Sequence, residues 1–219
     1  MKFLAVQSTY DSLQLALCNN NQLLDRTTIP KFEASTQFII KLHELLSHNN
    51  LALTDLPFIA VNQGPGPFTT LRVVISSVNG LSFATRIPLI GIDALDACMR
   101  EWSDQKYRHS IVLLNAFSND VYYAINTPNH PLQKGYKNIA SCIEDLQQSF
   151  PNTLLRFLGN GALLHRDLIK ESFGEQALIS DTAEYCDIHQ IGLMGYELWH
   201  KKTTGAQRLL PLYLKNHAI

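Results

Sequence analysis

The residues best placed to do chemistry lie in one run, Gly64-Pro65-Gly66-Pro67-Phe68-Thr69-Thr70-Leu71-Arg72. An apolar stretch, Phe58-Ile59-Ala60-Val61, precedes it and reads as a buried strand. Two Gly-Pro pairs end that strand. Beyond them Phe68, Leu71, Val74, Ile75, Val78 and Leu81 recur at steps of three and four, which is one face of a helix. A turn between a strand and a helix N-terminus can hold an anion on backbone N–H groups. This turn is poorly made for a phosphate. A Walker loop ends in Gly-Lys-Ser/Thr, whereas Phe68-Thr69-Thr70 follows here, and the prolines remove two N–H groups. The three spaced glycines of a dinucleotide site are absent as well.

Other reactive constellations are missing. His43 and His48 are five apart, about 140° around a helix, and cannot clamp one metal ion from a regular helix. None of the eight histidines are four apart, so a metallopeptidase has no ligand pair. Cys18, Cys98, Cys142 and Cys186 are widely spaced with no Cys-x-x-Cys, which disfavours zinc ribbons and disulfide scaffolds and suits reduced thiols in the cytoplasm. No Gly-x-Ser-x-Gly elbow supports a hydrolase.

The elements that hold these residues read as α/β. The 219 residues, 46 % hydrophobic with a formal charge of −1, describe a globular chain without a basic footprint for nucleic acid. No apolar run reaches the ~20 residues of a membrane span, and the apolar start after Lys2 is too short for a signal peptide. Phe3 to Val6, Ser12 to Leu17 and Gln22 to Ile29 form three antiparallel strands in succession. Ser35 serves as an N-cap for a helix to about His48, with Phe38, Ile39, Leu42, Leu45 and Leu46 as its apolar stripe. Along the helix after Pro67, Ser76, Gly80 and Ala84 make a smooth ridge four residues apart. Glycine in mid-helix costs about 1 kcal/mol against alanine, so close approach of another backbone explains it. Leu89 to Ile92 is a strand, Asp93 caps a helix to Trp102, and the polar stretch 103–109 marks a domain boundary. Strands then begin again at Ile111 to Leu114 and Val121 to Ile125. Ser141-Cys142-Ile143-Glu144 is a capping box, Leu154 to Leu158 a strand, and Gly159-Asn160-Gly161 a turn into a helix bearing Leu163, Leu164, Leu168 and Ile169. A last helix runs from about Asp187 to Lys202, with Ile191, Met194, Leu198 and Trp199 on its apolar face.

The run Gly64 to Arg72, with Asn79-Gly-Leu-Ser-Phe-Ala84 and Ile87-Pro-Leu-Ile-Gly-Ile92, resembles the signature of the bacterial TsaB (YeaZ) family. Phe3-Leu-Ala-Val6, Ser12 to Leu17 and Pro211-Leu-Tyr-Leu-Lys215 resemble that family's opening hairpin and closing segment. The resemblance implies an actin-like ATPase (ribonuclease H-like) fold of two similar subdomains, each a mixed sheet flanked by helices, here 1–104 and 105–219 with the last segment packing back on the first. It implies a paralogue of the catalytic subunit TsaD, and a non-catalytic scaffold that works with TsaD and TsaE to place a threonylcarbamoyl group on the adenosine beside the tRNA anticodon. The tRNA would be reached through the complex. Docking would run through the helices 35–48 and 68–85. Phe38, Leu42, Leu45, Leu71, Val74 and Val78 would form the apolar centre, and Ser76, Gly80 and Ala84 the ridge. Gly64, Pro65, Gly66, Phe68, Thr69 and Arg72 would be the structural signature loop. Alone, the chain would form a homodimer.

The family departs from this chain at three points. Its Asp at the end of the first strand is Gln7 here, the Asp of its second hairpin is Asn115, and its His-Ser-Glu run is replaced by Phe32-Glu33-Ala34-Ser35. Amides are poor ligands for Mg²⁺. No intrinsic metal or cofactor is therefore expected. ATP or ADP would sit at the partner interface, with Ser8, Thr9, Gly159 and Gly161 nearest to it by analogy with the fold. The alternative reading is an autonomous ATPase or kinase of the same fold.

Overall fold

The computed structural model describes residues 1–181, 185–201 and 205–214. Lys202 and Lys215, which belong to the expected last helix and closing segment, lie outside them. The contacts divide the chain into two units: Met1–Ala94 with Asp187–Leu212, and Leu95–Cys186 with Tyr213 and Leu214. The division expected near residue 104 thus falls after Ala94, and the chain returns to the first unit at Asp187. The reason lies in the helix that follows Asp93. Its Asp96 pairs with Lys134 at 2.7 Å and the carbonyl of its Trp102 accepts from Arg156 at 2.6 Å, both in the second unit.

In the first unit β1 (Lys2–Ser8), β2 (Ser12–Asn19) and β3 (Gln22–Pro30) form an antiparallel meander, and β4 (Ile59–Gly64) and β5 (Leu89–Asp93) continue from β1 in parallel. The order is β3-β2-β1-β4-β5. Helices α1 (Ala34–His48) and α2 (Phe68–Thr85) cover one face. Leu4 and Val6 of β1 alternate toward them and join Phe38, Leu42, Leu45, Leu71, Val74 and Val78 in one core. Phe3 and Ala5 point the other way, toward α7 (Ile188–His200), where Phe3 stacks on Phe58 at 4.5 Å and Phe58 on Trp199 at 4.9 Å. A strand covered on both faces must be apolar throughout, as Phe3-Leu4-Ala5-Val6 is.

In the second unit α3 (Ala94–Trp102) is followed by β6 (Ser110–Asn115), β7 (Asp120–Asn126), β8 (Gln133–Asn138), α4 (Ile139–Ser149), β9 (Leu155–Leu158), α5 (Asn160–Leu164), α6 (Arg166–Phe173) and β10 (Ala177–Ile179). The sheet order, β10-β9-β6-β7-β8, is the first unit's order read from the other edge. Two similar mixed sheets flanked by helices are the layout of the actin-like fold.

Three local expectations are corrected. Ser35 is not a cap, because α1 begins at Ala34 on a 3₁₀ turn over Lys31–Glu33. Ser141 is not the cap of α4 either. Asn138 is, its side chain accepting from the N–H of Ala140 at 3.1 Å, because β8 leads straight into the helix. The helix expected after Gly161 is broken at His165 into α5 and α6.

Candidate functional site

The turn at the centre of the sequence reading is built as strand, break and helix. Gly64 ends β4 at φ 99°, a left-handed conformation, and a methyl group there would meet Leu71 Cδ2 at 2.8 Å. The Asn62 side chain accepts from the Gly64 N–H at 2.9 Å, and the Pro67 carbonyl accepts from the N–H of Leu71 and the hydroxyl of Thr70. The segment from Ala206 to Leu212 lies along this turn and along α2. Gln63 donates to the Leu210 carbonyl at 2.6 Å, the Leu212 N–H donates to the Gln63 carbonyl, and Asn79 makes a two-way pair with the backbone of Leu209. Gly64 and Pro65 are buried and Gly66 half-buried, whereas Phe68, Thr69 and Arg72 face solvent. The turn is occupied by the chain itself.

The docking residues separate into two groups. Phe38, Leu42, Leu45, Leu71, Val74 and Val78 are at most 3 % exposed and belong to the core between sheet and helices. They cannot form the apolar centre of an interface, because the periodicity that singled them out is the periodicity of the face turned inward. Ser76, Gly80 and Ala84 lie on the opposite, exposed side of α2, and among the described residues nothing stands within 4 Å of where a Gly80 Cβ would be. Large apolar residues are exposed on these helices as well: Ile39 and Ile40 on α1, Phe32 just before it, and Phe83 on α2, by 57, 50, 83 and 75 %; Ile39, read as part of the α1 stripe, faces outward instead, and sequence reasoning passed over the other three. Their signal was legible as large apolar residues out of phase with the core stripe. Arg72 stands over the ring of Phe68 at 3.8 Å, and Arg86 over that of Phe83 at 5.7 Å.

The nucleotide-proximal residues are committed to structure within their own units. Ser8 is buried, and Thr9 closes the β1–β2 turn through its hydroxyl, which lies 3.0 Å from that of Ser12 and accepts from the Ser12 N–H at 3.1 Å. Gly159 and Gly161 let the start of α5 lie on β6, since a methyl group at either would stand 2.7–2.8 Å from the Leu113 carbonyl oxygen. Gln7 and Asn115 are amides at the positions where the family resemblance implies carboxylates. Fully buried Gln7 donates to Gln14 at 2.9 Å and accepts from Asn62 at 3.3 Å. Asn115 accepts from the Phe117 N–H at 2.8 Å, while its own N–H donates to Asn160. Neutral amides at these positions are poor ligands for the metal of a magnesium nucleotide. Among the described residues no group of three His, Cys, Asp or Glu could hold a metal, and no helix is long and apolar enough to cross a membrane.

All four cysteines are buried. Burial, reinforced by Asp187, pushes the Cys18 thiol up to about 12, and burial with Asp145 pushes Cys142 to about 11. A hydrogen bond to Cys98, together with burial, raises Cys186 as well. Thiols held this high are not nucleophiles at neutral pH. A cleft of about 220 Å³ opens in the second unit against Tyr123, Ile125, Cys142 and Phe150, with Lys137 and Asp145 paired across its mouth. It contains none of the signature residues, all of which lie in the first unit.

Residues 33–195 match the family described as TsaD, tRNA N6-adenosine threonylcarbamoyltransferase. The tRNA threonylcarbamoyladenosine biosynthesis protein TsaB of Buchnera aphidicola (subsp. Acyrthosiphon pisum, strain APS) is 29 % identical over 128 residues, 58 % of each chain. This chain thus spans a little under three fifths of the length of that relative. The protein of the same name from Bacillus subtilis is 23 % identical over 98 % of this chain and 94 % of its own. YeaZ from Pseudomonas aeruginosa superposes with a TM-score of 0.73 at 21 % identity, over 97 % of this chain and 99 % of that one. The fold extends to the ROK hexokinase from Thermus thermophilus, TM-score 0.50 at 11 % identity over 92 % of this chain and 100 % of the hexokinase.

Proposed function

We propose, because this chain belongs to the TsaD family of tRNA N6-adenosine threonylcarbamoyltransferases and to its TsaB/YeaZ branch, that it is a non-catalytic partner subunit acting through TsaD in threonylcarbamoylation of tRNA. The observation that carries this reading is the outward side of α1 and α2. Phe32, Ile39, Ile40 and Phe83 are exposed on or next to these two helices, and among the described residues nothing stands within 4 Å of the missing Cβ of Gly80 on α2. A monomer gains nothing from such a side, whereas aromatic and aliphatic anchors around a close crossing point suit a helix–helix interface. The partner is the like half of TsaD, and TsaE completes the assembly. ATP or ADP belongs at the interface with the partner, a placement in keeping with the neutral amides that this chain carries at Gln7 and Asn115. Transfer chemistry is assigned to TsaD and tRNA contact to the complex, in keeping with a charge of −1 on this chain. Four buried free thiols suit the cytoplasm. Without TsaD the same side pairs two copies of this chain.

Size-exclusion chromatography with light scattering tests this, on the chain alone and mixed with TsaD of the same organism. A one-to-one complex that Gly80→Leu abolishes, with the variant's circular dichroism unchanged, is the expected outcome. A chain that ignores TsaD, or that turns over ATP by itself in a metal-dependent way, overturns it.

A further inference from the structure

The segment 206–212 is gripped by the first unit mainly through its backbone. The Ala206 N–H donates to the Leu89 carbonyl and the Ala206 carbonyl accepts from the Leu89 N–H, both at 2.8 Å. The Gln207 carbonyl accepts from the Ser82 hydroxyl at 3.2 Å, and the Leu210 carbonyl from the Gln63 side chain at 2.6 Å. Asn79 meets both polar backbone groups of Leu209, donating to the carbonyl at 2.9 Å and accepting from the N–H at 2.8 Å. Among the side chains, those of Gln207, Arg208 and Leu210 are exposed, and Leu209 alone is buried. Its Cδ2 lies against Gly91, 3.3 Å from where a Cβ would be. Backbone hydrogen bonds around one side-chain pocket are the pattern by which grooves and sheet edges take extended peptides, the bonds giving affinity and the pocket the preference.

The grip falls on one flank of α2. Asn79, Ser82 and Arg86 follow at steps of three and four, and the Arg86 carbonyl, at the C-cap, accepts from the Gln207 side chain at 3.4 Å. Ser82 is polar yet fully buried, and its hydroxyl is satisfied by the segment. These residues share the half of α2 that carries Gly80, Phe83 and Ala84. We propose that this flank of α2, with Gln63 and β5, is a binding groove for an extended peptide with a leucine in the pocket at Gly91. Residues 206–212 are its resident ligand, and their seating holds the C-terminal half of α2 in the form that docks. The link to docking rests on the function proposed above, whereas the groove stands without it. With the segment unseated, Asn79 and Ser82 lose these partners and the pocket is empty, so this half of α2 loses its support on one flank.

Hydrogen exchange on the full chain tests the groove. Leu209→Asp sets a charge in the pocket and should speed exchange about tenfold at the amides of 206–212 and of 79–86 together. A synthetic peptide of residues 205–214, at about 1 mM to match the effective concentration of a tethered segment, should restore protection at 79–86. The same peptide carrying Leu209→Asp should not. Asn79→Ala attacks the contact from the groove side, and it should give the same paired loss without repair by the peptide. A Leu209→Asp chain that keeps its protection at 79–86, or that the peptide fails to repair, overturns the proposal. So does loss of protection throughout the first unit in both variants, which would make the segment part of the core. Sedimentation equilibrium with TsaD of the same organism tests the link to docking. Binding should fall about tenfold in Leu209→Asp and return with the peptide. If Gly80→Leu leaves TsaD binding intact, the docking reading itself fails, and hydrogen exchange still decides the groove. If Gly80→Leu abolishes binding while Leu209→Asp leaves it unchanged, the link between groove and docking fails.

Discussion

The backbone of Gly195 in α7 lies directly against the side chain of Ala60 in β4, with no room for a methyl group between them. One turn earlier a methyl group on Gly192 would stand 2.8 Å from the Cys18 sulfur. The two glycines make α7 a flat lid on the back of the first sheet and let Trp199 and Tyr196 reach the rings of Phe58 and Phe3. Gly195→Ala should destabilise the fold by about 2 kcal/mol, since overpacking outweighs the gain in helix propensity. Urea denaturation measures it, and an unchanged or raised midpoint would show that α7 can ride up at no cost.

Gly80 makes the opposite case. Its missing Cβ faces open space in a helix interior. Gly80→Ala should raise stability by about 1 kcal/mol in the isolated chain. A loss of stability in the same denaturation experiment would mean that the glycine serves the monomer.

Gln7 tests whether one carboxylate at this position gives the chain a metal site. Gln7→Asp leaves the Gln14 carbonyl without its donor and buries a charge, so a loss of about 3 kcal/mol is expected at neutral pH. Burial raises the pKa of the new carboxyl in the folded state. The folded chain then binds the extra proton first, and the loss should shrink as the pH falls through that raised pKa. Magnesium-dependent ATP turnover by this variant would refute the account of the amide relay.

His165 has a shielded Nε2 with no hydrogen-bond partner among the described residues, and burial lowers its pKa below the usual 6.5. His109 is lowered likewise, by burial and then by Arg108. For a lowered histidine the unfolded chain binds the proton first, so stability should decline once the pH drops below about 6.5 and level off below the folded pKa. Thermal midpoints across that range should show the slope, and His165→Gln should flatten it. An equal slope in the variant would assign the effect to other groups.

The thiols give a direct check on the core. With Cys18 near 12 and all four sulfurs buried, a disulfide reagent at neutral pH should label the native chain far more slowly than the unfolded one. Prompt labelling of even one thiol in the native state would contradict the packing.

Much of the fold was legible because its elements obey their own periods. The meander β1–β3, the break at Gly64 to Pro67 and the inward stripe of α2 were readable from alternation, prolines and three-four spacing. β8 was not, because Gln133-Lys-Gly-Tyr-Lys-Asn138 is a polar edge strand with no apolar alternation. The outward side of α1 and α2 was half legible. The small residues on α2 stood out, but the strongest apolar repeat belongs to the core; it drew attention from Ile40 and Phe83, which break the repeat and face outward, and it wrongly took in Ile39, which faces outward too.

The return of α7 to the first unit has a consequence for biosynthesis. The first unit is discontinuous in sequence, while its second counterpart is essentially continuous from Leu95 to Cys186. On the ribosome the half begun first is therefore completed last. Until residues 187–200 emerge, Phe3, Ala5 and Phe58 have no cover on the back of their sheet. Throughout that interval the nascent chain offers a bare apolar surface, and chaperone capture would be concentrated there.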